Sequence, residues 1–520
     1  MNDTAAELAR VEAIIDTSGV AGRIEALLPI GVRPRQLTAR TLLTGMVLTM
    51  LAGHDALLTN VLATLTGLPQ ADQHRLAVIT QWEHGPHRLS YRQLEYTWRQ
   101  IVCALSKEKP DGAPSEQLSG VLDALLEASV QVLGQPASTS YAVDWTDLEA
   151  WARPPPKPAN DSRHQQPEQG EQPHAGRAGR AGTDPDAAFG HRNTNHPAKN
   201  KMFYGYYLQA VTTVNDERGE QVPELVRRMQ IASCAQDPPA LLTPVIERMS
   251  ASGVNVGDLL ADSGYSYRVA ETWALPLRAL GIALIQDLNP NDRGPKGTHM
   301  GAVCCNGNLY CPATPTSLLQ LAPLHPGATS EQTQTHDRQC QELAAYKLTP
   351  ISGYDHDGYR RVACPATSDK LRCPLRPESM TLAHDRPTIL QPPARPPVCC
   401  AQQTITVPPA VNAKTAQKHD YPSPQHRASY KRRTAAERTN ATISDRATND
   451  LGRGWCRLTG LAPIALFTAT TLTARNIRTA DSFHARQAAN QRRAAHSLEP
   501  KARARRRTTT HDLLNAAAPP

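Results

Sequence analysis

The residues in this 520-residue chain best suited to chemistry are acids that follow short apolar runs. In Leu-Leu-Ala-Asp-Ser-Gly-Tyr-Ser-Tyr (259–267), Asp258–Ala261 reads as a short buried strand that delivers Asp262 to its carboxyl end. Gly264 then lets the backbone turn into a helix-like segment. Open α/β sheets keep their chemistry at the carboxyl ends of strands, although an Asp in such a place is more often a helix N-cap. A second acid, Asp144, ends the strand candidate Tyr141–Val143 within Ser-Tyr-Ala-Val-Asp-Trp-Thr-Asp (140–147). Its plain alternative is a hairpin turn with solvated acids. A third, Glu437, follows Tyr430 and Arg433, the three spaced by three and then four residues, which sets all three on one helical face. The plain alternative there is an i,i+4 ion pair worth about a few tenths of a kcal/mol. Carboxylate oxygens are the ligands that hard divalent cations such as Mg²⁺ and Mn²⁺ prefer.

The elements that must position these acids follow from the hydrophobic pattern. Residues 1–135 read as helical: Leu43, Met46, Val47 and Met50 recur at helical spacing with Gly53 as a stop. Ser90 and Gln93 fit a capping box ahead of Leu94, Trp98, Ile101 and Leu105. Arginines at 33, 35, 40, 88, 92 and 99 are compatible with a DNA-binding module or with a plain bundle carrying solvated charges. Strands are expected at 203–216, 224–232 and 282–288, with helices at 239–253 and at 267–281, the latter interrupted by Pro276. Residues 152–199, rich in Pro, Gly, Ala, Arg, Gln and His, read as a disordered insertion. Residues 291–419 form a second insertion with eight cysteines, 420–482 resume the helical pattern, and 483–520 read as a basic disordered tail.

The formal net charge is +8, yet residues 427–507 hold 18 Lys and Arg against 5 Asp and Glu. So strong a local excess suggests a polyanionic partner, most simply nucleic acid. No apolar run reaches the roughly 18 residues of a membrane span, and the acidic, amphipathic start is not a secretory signal. The 11 cysteines, most of them in one region of a large chain, favour a reducing, cytoplasmic setting over a disulfide framework.

Tyr430, Arg433 and Glu437 reproduce the Y-(2)-R-(3)-E part of the Y-(2)-R-(3)-E-(6)-K signature of bacterial insertion-sequence DDE transposases, and the chain resembles that family over roughly residues 35–480. Asp144 with Thr146 matches the family's first acid, Asp262 before Gly264-Tyr265 its second, and Glu437 its third. Asp-Pro-Asp-Ala-Ala-Phe-Gly-His-Arg (184–192) and Tyr-Gly-Tyr (204–206) resemble segments that such enzymes carry between the first two acids. The resemblance implies an α/β fold, a ribonuclease H-like mixed sheet with flanking helices, with an N-terminal helical domain and a Cys-rich insertion added. It implies a core in two parts, 136–290 and 420–482. It implies Mg²⁺- or Mn²⁺-dependent cleavage and strand transfer at insertion-sequence ends. Asp144, Asp262 and Glu437 would be catalytic and would hold two ions, Asp144 bridging them. Tyr430 and Arg433 would face DNA. A homodimer or larger synaptic assembly, associated with the nucleoid, goes with that activity. The signature's lysine is replaced by Ser444, for which Arg438 or Arg446 could substitute. The alternatives are a catalytically inactive, transposase-derived DNA-binding protein and a general ribonuclease H-like nuclease.

The cysteines of the insertion, Cys304, Cys305, Cys311, Cys340, Cys364, Cys373, Cys399 and Cys400, have the ligand type of structural Zn²⁺ sites. They lack a CxxC pair, and ordinary free thiols in a loop-rich insertion are the expectation ahead of zinc.

Overall fold

The structure, a computed structural model, describes residues 4–29, 35–82, 85–107, 112–155, 184–192, 201–325, 327–445 and 448–499. It is a mixed α/β chain. The first part folds as α1 (Thr4–Ser18), α2 (Val20–Leu27), α3 (Ala39–Leu51), α4 (Leu58–Thr66) and α5 (Gln70–Arg75). An antiparallel pair follows, β1 (Ile79–Trp82) and β2 (Gly85–Arg88), and then α6 (Tyr91–Leu105) and α7 (Glu116–Val132). The expected stop after α3 is present, with Gly53 at φ +78°. The capping box forms: Ser90 and Gln93 each bond the other's backbone. The short β pair was not anticipated.

The main sheet is built from β3 (Ser140–Glu149), β4 (Ala188–His191), β5 (Met202–Val214), β6 (Val226–Ser233), β7 (Asp258–Ala261) and β8 (Ala283–Gln286). Its order is β4-β5-β3-β7-β8, with β6 also on β5. β5 is long enough to pair β4 through residues 202–205 and β6 through 206–212 along the same edge. β3 runs antiparallel to β5 but parallel to β7, and β7 parallel to β8, so the sheet is mixed. β3 corrects the expected short strand ending at Asp144. β5 pairs with all of it, from Ser140↔Val214 to Glu149↔Gly205, and this carries the strand five residues past the acid.

Both faces of the sheet are covered. On one, α8 (Pro238–Ala251) and α9 (Ala274–Ala279) pack Leu242, Val245, Ile246 and Leu277 on Tyr141, Val143 and Leu259. The expected helix over 267–281 is instead two 3-10 turns, at Tyr265–Tyr267 and Ala270–Thr272, followed by α9. Pro276 sits in the first turn of α9, where a missing N–H costs nothing. On the other face, one apolar cluster runs from Leu8 and Val11 through α3 and α7 to Tyr206, Leu208 and Val226.

The Cys-rich insertion forms two three-stranded antiparallel sheets. The first is β9 (Pro295–His299), β10 (Ala302–Cys305) and β11 (Asn308–Tyr310); after α10 (Thr316–Leu319) and α11 (Ser330–Tyr346) comes the second, β12 (Thr349–Pro350), β13 (Arg360–Ala363) and β14 (Thr404–Val407). The turn α12 (Val398–Ala401) precedes β14. The chain then returns to the sheet through α13 (Pro424–Tyr430), α14 (Thr434–Ile443), the pair β15 (Ser444–Asp445) and β16 (Asn449–Asp450), and α15 (Leu461–Ala495).

Two expectations of disorder are corrected in part. Within 152–199, residues 184–192 supply the edge strand β4, held by the Tyr206 hydroxyl donating to Asp184 at 2.7 Å; 156–183 and 193–200 lie outside the described residues. α15 continues to Ala495, into the stretch expected to lack structure, because Ala, Arg and Gln dominate 484–495 and neither Gly nor Pro interrupts them. Residues 500–520 lie outside the described residues.

Candidate active site

Alternation along the strands places the acids. Ala142, Leu260 and Ile285 lie side by side on β3, β7 and β8, paired Ala142↔Leu260 and Leu260↔Ile285, and all three belong to one small buried cluster. Two residues further along each strand direction, on the same face, come Asp144, Asp262 and Asp287. Ala435 and Ala436 of α14 complete the cluster. Their small side chains let the helix lie close on the sheet, and this brings Arg433 and Glu437 over the acids.

Arg433 is the hub. Its Nη1 is 3.7 Å from Asp144 Oδ2, its Nη2 donates to Glu437 Oε1, and it is within electrostatic range of Asp262. Its guanidinium lies over the Tyr430 ring, 5.4 Å from the centroid. The expected single helical face is corrected: a 3-10 turn at Lys431–Arg433 separates α13 from α14. Tyr430, Arg433 and Glu437 still meet, because the arginine spans the break. Asn440, one turn beyond Glu437, donates to Asp144 Oδ2 at 3.3 Å.

The acids are not in ordinary surroundings. Asp144 is pushed up to about 6, first by burial and then by the charge of Asp262, with Arg433 pulling the other way. Asp262 is also raised, by burial and by Asp287, against Arg433 and the N–H groups of Gly264 and Tyr265. The folded chain therefore holds the Asp144 proton more tightly than the unfolded chain does. Stability from this group is greatest below the ordinary carboxylate range and falls as pH rises through about 6, a loss of at most about 3 kcal/mol at neutral pH. Asp144→Asn is expected to raise stability at pH 7.5 by about 1–3 kcal/mol and to flatten its dependence between pH 4 and 6. Urea unfolding at several pH values measures this, and an unchanged pH dependence would remove Asp144 as its source.

Gly264 serves a purpose other than the one expected. Its backbone is right-handed, φ −61°, which any residue adopts. A side chain there would instead collide with the Trp145 ring. Trp145 packs edge-on to Tyr265 at 4.9 Å, and Tyr265 stacks on Trp273 at 5.0 Å. The Asp262 turn thus rests on an aromatic stack, with Gly264 N–H donating to Asp262 Oδ1 at 2.9 Å. Gly264→Ala is expected to cost about 1–3 kcal/mol through overpacking, read as a lowered unfolding midpoint. A midpoint equal to that of the parent chain would refute the contact.

Asp287 and Asn440 were missed in the sequence. Asp287 accepts from the Tyr421 hydroxyl at 2.6 Å and lies 3.3 Å from Arg293. Its signal was present, since Ile-Ala-Leu-Ile-Gln-Asp ends in an acid as the Asp262 strand does. Asn440 carried no comparable signal. Among the described residues, no three His, Cys, Asp or Glu side chains stand close enough together to hold a metal ion. At the acids, a guanidinium supplies the positive charge.

Ser444 is exposed and begins β15. Arg438 is engaged elsewhere, its Nε donating to the Glu224 carboxylate at 3.0 and 3.1 Å. Arg446 lies outside the described residues. In the N-terminal helices, Arg35, Arg40 and Arg99 are paired with Glu25, with Glu12 and Asp16, and with Glu95; Arg33 lies outside the described residues. All 11 cysteines are free thiols, and the eight of the insertion are buried. Among the described residues no helix is long and apolar enough to cross a membrane.

Comparisons with protein-family models, with curated proteins and with solved structures found no match to this chain. Fold and site together define a mixed α/β protein with a row of acids on one face of the sheet, Asp144 within β3 and Asp262 and Asp287 just past the ends of β7 and β8, beneath an arginine-bearing helix.

Proposed function

We propose that the chain is a DDE transposase with a ribonuclease H-like core, cutting and joining DNA strands at insertion-sequence ends. The observation that supports this reading is the meeting of Asp144, Asp262 and Glu437, far apart in sequence, around the single guanidinium of Arg433. A raised, crowded pair of acids is what a site for cations needs before the cations bind. The donor set is all oxygen, which fits Mg²⁺ or Mn²⁺. Asp144, Asp262 and Glu437 would hold the ions once Arg433 gives way. When bound, such ions supply positive charge to phosphate oxygens and acidify water.

The chain's own residues do the rest. Asn440 orients Asp144, and the aromatic stack beneath Gly264 fixes the Asp262 turn. Arg433, released from the acids, offers a planar fork to a DNA phosphate, with Tyr430 stacked behind it. Strand cutting is an in-line displacement: a water oxygen bonds to phosphorus and the 3′ oxygen leaves. The freed 3′-OH then attacks target DNA in the same way. The exposed, basic end of α15 and the residues after it contribute phosphate contacts, which makes binding steeply salt-dependent. A nucleoid-associated assembly of two or more chains belongs to this reading.

The test is the purified chain with labelled insertion-sequence ends and Mg²⁺ or Mn²⁺. Nicking and strand joining that need the divalent ion are expected. Cleavage without end preference or joining would favour a general nuclease. The second reading, a DNA-binding protein without catalysis, is favoured by Ser444 and by the engagement of Arg438 with Glu224. Ser444→Lys is expected to tighten end binding by about 1 kcal/mol or less, with a steeper salt dependence. An unchanged dissociation constant would make the serine neutral.

A further inference from the structure

The Cys-rich insertion contains the Cys-Pro dipeptide three times, in Cys311-Pro312-Ala313-Thr314, Cys364-Pro365-Ala366-Thr367 and Cys373-Pro374-Leu375-Arg376. All three fold alike. The N–H of Thr314, Thr367 and Arg376 donates to the carbonyl of the cysteine three residues back, at 3.0, 3.0 and 2.9 Å. Proline at the second position suits such a turn. The N–H two residues on, from Ala313, Ala366 and Leu375, lies against the cysteine's own sulfur. A turn that aims backbone N–H groups at a sulfur fixes its orientation, as the outer shell of a metal ligand does.

The three turns come from separate segments and converge. Cys311, Cys364 and Cys373 share one buried cluster with Tyr346 and Leu371. Cys400, on α12, belongs to the neighbouring cluster, and Leu375 packs against both. Each of these four sulfurs is within electrostatic range of the other three. Arg376, which closes the third turn, donates to the Cys400 carbonyl at 2.7 Å and ties α12 to it. Of the other thiols nearby, Cys305 donates to the Leu319 carbonyl at 3.2 Å and Cys340 is 3.5 Å from His336 Nδ1, while Cys399 donates to the Cys400 sulfur and is within electrostatic range of Cys311 and Cys364, which makes it the rival for the fourth position.

We propose that Cys311, Cys364, Cys373 and Cys400 are the four ligands of one structural zinc ion. The described cysteines are not yet gathered tightly enough to hold an ion, so binding turns the four side chains inward while the backbone turns stay in place. Each thiol loses its proton to solvent, and the ion takes four thiolates, the closed tetrahedral set of structural sites. The ion would pin three turns and α12 in a region whose strands are two to five residues long, too little regular structure for a large core of its own. This inference does not depend on the catalytic reading, because its readout is metal content.

The experiment measures zinc in the full chain purified without chelator, followed by Co²⁺ exchange. About one zinc ion per chain is expected, with the charge-transfer absorption of a tetrathiolate site on Co²⁺ substitution. Cys311→Ser, Cys373→Ser and Cys400→Ser should each bring the zinc content to background, whereas Cys304→Ser and Cys399→Ser should leave it unchanged. Soluble variants that keep their zinc, or a parent chain that binds neither zinc nor Co²⁺ through sulfur, would overturn the proposal. Loss of zinc in Cys399→Ser with retention in Cys400→Ser would overturn the assignment of the fourth ligand. If a serine variant is insoluble, thiol titration of the parent chain with and without chelator decides instead. Four extra reactive thiols after chelation are expected, and no change would count against the site.

Discussion

Asp262→Ala abolishes strand cleavage while leaving DNA binding within a fewfold of the parent chain: that is the expected result if the acids over β3 and β7 are the reacting centre. Asp144→Ala and Glu437→Ala should behave alike, each lowering the nicking rate by roughly three orders of magnitude or more. The three acids share one counter-charge in Arg433, so they act as a unit and their losses should not add. A double variant should be no slower than either single. Binding survives because the phosphate contacts are assigned to arginines rather than to the acids. Removing a negative charge beside DNA weakens no attraction. Nicking rates on labelled end DNA and gel-shift affinities measured side by side are the test. Near-parental cleavage by any one variant would remove that residue from the site.

Glu127→Ala should cost about 3–5 kcal/mol of stability, the cost of leaving buried charges unpaired. Glu127 accepts from Arg227 Nε at 2.8 Å and also pairs with Arg228. Both arginine side chains are only 3% exposed. Burial raises the Glu127 carboxyl, and the two arginines more than reverse this, holding it below the ordinary range. The stability it contributes is therefore present above that range and is lost as pH falls through the depressed value. Without the carboxylate, Arg227 keeps only the neutral partners Tyr141 and Gln135, and Arg228 keeps Ser252 and a 3.9 Å approach to Asp123. Glu127→Gln, which keeps hydrogen-bonding capacity, should cost less. Urea midpoints for the three chains decide the matter, and an alanine variant within about 1 kcal/mol of the parent would contradict the buried-pair argument.

Much of the sheet was legible because its strands are apolar runs with clear ends. β7 begins and ends where the pattern placed it, β8 lies within its expected window, and β6 runs one residue past the end of its own. What failed was the extent of β3, since Thr146 and Asp147 do not look like strand interior. Their pairing is supplied by β5, a partner more than fifty residues away. The end of α15 failed for the converse reason: a polar sequence was read as tail although its helix propensity was good. At the site, the individual acids were legible and their environment was not. Arg433 as the shared counter-charge depends on how closely Ala435 and Ala436 let α14 approach the sheet. Spacing within one helix does not contain that information. The three Cys-Pro turns carry their signal in proline-set turn geometry rather than in CxxC spacing, and their convergence depends on the fold.

The half of α15 that begins the helix is interior to the rest: Ile464, Leu466, Phe467 and Leu472 are buried in the same cluster as α1, α3 and α7. The apolar faces of α1, α3 and α7 are thus covered only by a helix that lies far later in the sequence, so this core closes through long-range contacts. A chain without α15 would leave these apolar faces open to water and is expected to lose its cooperative unfolding transition.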